Sequence, residues 1–195
     1  MILCLAVVAA AQSYTLEPEH STLAVLVSYD RSALLAGHDH VVRPRRFSGT
    51  VLWTPTECDI QISFPVTELR VDGGSRSLFG LTGQTSSTDR AKIRDNLLGR
   101  HVLSAGSFPL ISFSSHSCIP EGDKFRVTGA LQIHGVSHQV STLMTVTADD
   151  VQFKGVGSFH AVHADWGMEP FRALLGSLRN APELRFRVEV MGSPR

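Results

Sequence analysis

The sequence is short of several things, and each shortage excludes something. It has no surplus of charge: 18 Lys and Arg balance 18 Asp and Glu. Nucleic-acid binding through a general basic field needs such a surplus, so nucleic acid is not an expected partner. Charged residues are themselves scarce, at 18% against roughly 25% in ordinary soluble domains. Aromatic residues reach only 7%. No apolar run approaches the about 20 residues that a helix needs to cross a bilayer. Gly-x-Ser-x-Gly, a phosphate-binding glycine loop and His-Glu-x-x-His are all missing. The paired carboxylates Asp149-Asp150 read as a hairpin turn. His20 and Ser21 are adjacent in a strand and point to opposite faces, so they do not form a nucleophile pair. An enzyme is therefore not expected. What the chain does have is 43% hydrophobic residues, enough to exclude disorder and to build one sizeable core in 195 residues.

The start of the chain stands apart. Met1–Ala11 is uncharged and apolar and ends in Ala9-x-Ala11, which fits a secretion signal, although no Lys or Arg precedes the run. A buried first strand is the competing reading. Cys4 lies too near the start for a lipoprotein processing site. The expected organisation is a signal over 1–11 and a single domain over 12–195, delivered to the periplasm or secreted. The mature chain then keeps Cys58 and Cys118, and an oxidising compartment would permit a disulfide between them.

Alternation with a period of two recurs throughout. Leu23, Val25, Val27 and Tyr29 share one parity, as do Ile60, Ile62 and Phe64, then Phe125, Val127, Leu131 and Ile133, then Leu184, Phe186, Val188 and Val190. Each set predicts a strand with one apolar and one wet face. Turn residues at Pro55-Thr56, Pro120–Lys124, Gly135–Ser137 and Asp149-Asp150 predict hairpins. About eight antiparallel strands follow, as an up-and-down barrel or a sandwich. Ser87–Leu98 predicts a helix ending at Gly99, inserted between strands 3 and 4. Gly49, Gly129, Gly155 and Gly157 fall on the apolar parity and mark either curvature or room for something close to the backbone.

Three polar features stand out. Gly37-His38-Asp39-His40 places two histidines at i and i+2 on one strand face, and such a pair can chelate a transition metal. A third ligand would have to come from His101, His160 or His163. The reading preferred here puts His38 and His40 at a barrel mouth, hydrogen-bonded to a ligand headgroup. Arg45 and Arg46, with Arg43, form a positive patch suited to an anionic headgroup or membrane surface. Cys58 shares the parity of Ile60 and Ile62, whereas Cys118 shares that of Ser112 and Ser114. A bridge between them therefore requires a bulge.

Several motifs resemble one family. They are Tyr14-x-Leu-Glu-Pro-Glu-His20-Ser21, Phe47-Ser-Gly49, Arg90–Arg94 through Val102-Leu103 and Phe108-Pro109-x-Ile111-x-Phe113, Gly129-x-Leu131-x-Ile133-x-Gly135-Val136, and Asp165-Trp166-Gly167-Met168 with Pro170. In order and spacing they are similar to the YceI-like family of bacterial proteins. The resemblance implies an all-β, eight-stranded antiparallel lipocalin-like barrel with an apolar lumen. That lumen would hold an isoprenoid lipid, either a polyprenyl chain or a quinone tail, and no further cofactor. By parity the lumen positions include Val25, Val27, Phe64, Phe113, Val127, Leu131, Met144, Phe153, Phe159 and Phe186. The expected headgroup positions are His38, His40, Arg45 and Arg46. Transient contact with a membrane surface and a homodimer are compatible with this reading. The alternative from another class is a His-dependent metal or redox enzyme built on Gly37–His40.

Overall fold

The computed structural model describes residues 11–195. All but one residue of the proposed signal, Met1–Ala10, lie outside the described residues. The strands are β1 (Gln12–Leu16), β2 (Thr22–Tyr29), β3 (His40–Pro44), β4 (Ser48–Trp53), β5 (Cys58–Pro65), β6 (Leu69–Val71), β7 (Leu110–Glu121), β8 (Lys124–Ile133), β9 (Val136–Ala148), β10 (Phe153–Val162), β11 (Arg172–Ala173) and β12 (Leu178–Pro194). The helix α1 spans Ser87–Leu98. Every pairing is antiparallel, and β1 pairs with both β4 and β12, which closes the ring β1-β4-β5-β7-β8-β9-β10-β12.

Three of the eight staves are each broken in two. β1 and β2 lie end to end against the long β12, β4 and β3 form the next stave, and β5 and β6 the third. Pro44 and Pro65 end their strands because proline has no N–H to give the ladder. The first break, at Pro18–His20, is repaired by Ser21. Its buried hydroxyl accepts from the Met191 amide at 3.0 Å, standing in for a missing backbone carbonyl. These breaks also move the helix. Numbered by strands, α1 lies between β6 and β7 rather than between strands 3 and 4 as the sequence suggested.

Local chemistry accounts for the connections. His134 and Gly135, with φ of 52° and 73°, form the two-residue turn between β8 and β9. This twist matches the flanking strands. The turn lies one residue earlier than the sequence suggested. Ser86 caps α1 by accepting from the Asp89 amide at 3.1 Å. α1 is then held to β6 by Arg94, whose guanidinium donates to the carbonyls of Leu69 at 2.9 Å and Thr67 at 2.7 Å.

The interior has two ends. At one, Tyr14, Trp53, Phe125 and Phe153 form an aromatic plug, with ring centroids 4.7–5.7 Å apart. Tyr14 and Phe153 are completely buried there. At the other end a second cluster gathers Val42, Leu69, Val102, Leu103, Ile133, Trp166 and Leu184 beneath α1 and the loops.

Cys58 and Cys118 are joined in a disulfide with Cα atoms 5.5 Å apart. The bulge that this bridge needs is present. The β7–β8 register slips between Ser115 and Ser117, so His116 is the added residue and Cys118 turns to the inside. At the same place the Ser115 hydroxyl accepts from the Ile60 amide at 2.7 Å, keeping β5 and β7 tied where their ladder ends.

Candidate functional site

Alternation leaves the interior of the barrel apolar, and the side chains do not fill it. A cavity of about 200 Å³ runs through the lumen. Nine of the ten lumen positions read from parity line it: Val25, Val27, Phe64, Phe113, Val127, Leu131, Met144, Phe159 and Phe186. Phe153 does not. Its side chain points inward as parity requires, but it sits in the plug against Tyr14 and Trp53, below the cavity. Phe159 and Phe186 stack across the β10–β12 pair, with centroids 4.5 Å apart and planes 3° from parallel.

Gly129 shows what one of the interior glycines is for. A Cβ there would lie 2.5 Å from the Phe113 ring and 2.6 Å from the Ser114 carbonyl. The missing side chain makes room for Phe113, not for a ligand.

A second cavity of about 390 Å³ forms the mouth. It shares Val27, Val42, Leu97, Val102 and His163 with the lumen, so the two spaces meet. His38 and His40 line the mouth. His40 Nδ1 lies 2.8 Å from Asp72 Oδ2, and the Asp72 carboxylate is buried. Asp72 also accepts from the Val41 amide at 2.9 Å and from the Thr85 hydroxyl. Burial alone would raise the pKa of Asp72. The hydrogen bonds from His40, Thr85 and Val41 outweigh it and pull the pKa down to about 2. Asp72 holds this position with a φ of 56°, a conformation that costs a non-glycine residue energy.

Arg45 and Arg46 are not at the mouth. They occupy the kink after β3, at the opposite end of that strand from His40, and line neither cavity. Both face Glu68, at 3.3 Å and 3.6 Å, and the Arg45 bond is the main reason why the Glu68 pKa falls. One carboxylate thus partly offsets the positive patch, which lies on the barrel flank. Of the third-ligand candidates, His101 and His160 are exposed and line neither cavity, and only His163 reaches the mouth. Among the described residues, no three His, Cys, Asp or Glu side chains converge on a metal-sized site.

The YceI-like domain model matches residues 14–190, nearly the whole described chain. The chain belongs to the YceI-like family. Solved structures with the same fold include Burkholderia cenocepacia BcnA, at TM-score 0.67 and 16% identity, covering 90% of this chain and 98% of that one. A Campylobacter jejuni YceI protein aligns at TM-score 0.54 and 13% identity, covering 79% and 84% respectively. A variant of it holding a monobromobimane guest aligns at TM-score 0.52, 13% identity and the same coverage. At these identities the likeness is one of fold. No curated protein matches the chain by sequence.

The YceI-like motifs acquire physical roles. Trp166 is fully buried in the core cluster behind Phe186, and its indole N–H donates to the Leu131 carbonyl at 2.8 Å. Gly167 follows at φ 64°, where the turn reverses. Two site residues escaped the alternation analysis: Asp72 and the role of His163 at the neck. Asp72 precedes Gly73-Gly74 directly after an apolar strand, a turn signal that marks a break but not a buried carboxylate. His163 lies in an irregular stretch where no periodicity assigns a face.

Proposed function

We propose that this YceI-like barrel holds an isoprenoid lipid, a polyprenyl or quinone tail, in its lumen and carries it without chemical turnover. One observation supports this above all: an apolar lumen that stays open and meets a more polar mouth. The two joined spaces have the size of small-molecule sites, which run from about 300 to 1,000 Å³. Each buried methylene of a prenyl chain contributes about 0.8 kcal/mol, so affinity needs no charged anchor.

The same reading includes delivery outside the cytoplasm and passing contact with a membrane. The Cys58–Cys118 bridge suits an oxidising compartment. Leu34, Leu35, Leu174 and Leu175 are 44–108% exposed on two loops beside the mouth, joined by the bond from the Leu35 amide to the Ser177 carbonyl at 2.9 Å. An exposed apolar cluster of this kind suits lipid exchange at a bilayer surface.

Organic extraction of the purified protein followed by mass spectrometry tests the reading. Near-stoichiometric prenyl lipid is expected. Protein that neither carries nor takes up a prenyl lipid overturns it.

A further inference from the structure

Of the thirty residues lining the lumen, four have polar side chains: Ser112, Thr142, His163 and Arg187. Three of them direct their polar atoms elsewhere. The Ser112 hydroxyl donates to Gln132 Oε1 at 3.3 Å, Thr142 to the Ser158 carbonyl at 2.9 Å, and the Arg187 guanidinium to the Leu78 carbonyl at 3.2 Å.

His163 is different. It is 5% exposed, yet it lines both the lumen and the mouth, so its small accessible surface faces the ligand space. Nδ1 lies 2.8 Å from the Pro182 carbonyl. A carbonyl can only accept, so Nδ1 carries the hydrogen, and in the neutral ring Nε2 carries the lone pair. Burial lowers the pKa of His163 despite the Pro182 bond, which keeps the ring neutral at ordinary pH. Among the described residues Nε2 meets no donor. Among the described residues the only side-chain polar atom sealed away unpartnered is Arg76 Nε, so Nε2 keeps accessible surface, and the place of His163 in the lining of both cavities sets that surface against the ligand space.

We infer that His163 Nε2 is a hydrogen-bond acceptor for the ligand head, and that the ligand class is a prenyl lipid ending in a hydroxyl donor. This rests on the lipid-holding reading above and narrows it. The tail lies in the lumen, and the O–H points at the neck where lumen and mouth join. The unprotonated Nε2 cannot donate to a carbonyl, so the head it selects is a prenol or a hydroquinone rather than the oxidised quinone. The amides of Asn96 and Asn180 line only the mouth.

Two probe pairs test this by equilibrium binding: geranylgeraniol against its methyl ether, and a geranylgeranyl hydroquinone against the corresponding quinone. The hydroxyl member of a pair is expected to bind about tenfold tighter, the worth of one hydrogen bond made at a desolvated acceptor. Preference in the first pair alone assigns a prenol, and preference in the second alone assigns a quinol. His163→Asn keeps an amide for Pro182 but removes the Nε2 acceptor. It should bring alcohol affinity down to that of the ether while leaving the ether unchanged. His163→Gln, which returns a carbonyl near the Nε2 position, should restore the preference. Equal binding within both pairs, or a preference that survives in His163→Asn, overturns the inference and leaves lipid binding standing. If no probe binds at all, both fall. Should His163→Asn fail to fold, the ¹⁵N resonance of Nε2 in the unaltered protein decides. It must move on adding the alcohol and stay put on adding the ether, and a resonance that ignores both overturns the inference.

Discussion

His40 Nδ1 sits 2.8 Å from Asp72 Oδ2, and this contact ties the first residue of β3 to the residue just past the end of β6. The mouth of the barrel is fixed from beneath by a buried carboxylate. The Asp72 pKa is depressed to about 2 from an ordinary 3.8. Its stabilisation is therefore complete above the unfolded value and is lost as pH falls through the folded one.

Acid titration of stability should show this. Denaturant midpoints are expected to fall from about pH 4 down through about pH 2. Asp30 is half-buried and also lowered to about 2, so the informative curve is the difference between the unaltered protein and Asp72→Asn. The variant should be less stable at pH 7 by about 1–3 kcal/mol and should lose less on acidification. Parallel curves would show that Asp72 contributes nothing specific.

Opening the disulfide should destabilise without unravelling the lumen. The bridge closes a separation of 60 residues, which in a chain-entropy account is worth at most about 4 kcal/mol. Cys58→Ser with Cys118→Ser should show this loss in chemical denaturation, while prenyl-probe binding at 25 °C changes little. A free-thiol assay on the unreduced protein should find neither cysteine reactive.

Filling the lumen should separate binding from folding. Leu131 lines the cavity, and its carbonyl supports Trp166. Leu131→Trp puts a larger ring into existing space, at an expected cost of about 1–3 kcal/mol. Probe affinity should drop at least tenfold, far more than the stability loss explains. Unchanged affinity would place the ligand elsewhere.

The exposed leucines give a kinetic test. Replacing Leu34, Leu35, Leu174 and Leu175 by Ser should slow transfer of a prenyl probe to neutral phospholipid vesicles, with only small changes in stability. Leu175 has a φ of 54°, so Leu175→Gly should relieve backbone strain and stabilise the fold by up to about 1 kcal/mol while still slowing transfer. Transfer at the original rate in both variants would remove these loops from lipid exchange.

Alternation carried most of the strand pattern because a half-buried strand writes its two faces into every second residue. It told which face Phe153 shows but not its height along the barrel axis, and height separates plug from lumen. Arg45 and Arg46 were grouped with His38 and His40 because they are close in sequence. A five-residue strand at about 3.3 Å per residue separates them in space. The cysteines were legible only conditionally, since a single added residue at His116 reverses the parity that made the bridge look unfavourable. Asp72 and His163 work through contacts with Thr85 and Pro182 that no local period encodes.

The eight staves are not joined alike. Seven neighbouring pairs carry backbone ladders along much of their length, whereas among the described residues β6 meets no strand on its far side and is secured there by the Arg94 side chain of α1. The ring is continuous at the plug end and split at the mouth end, with a helix as the closing piece. Ladder bonds yield together, but side-chain fastenings can let go one at a time. Between β6 and β7 the wall is therefore held by side chains of a helix, where elsewhere it is held by backbone ladders.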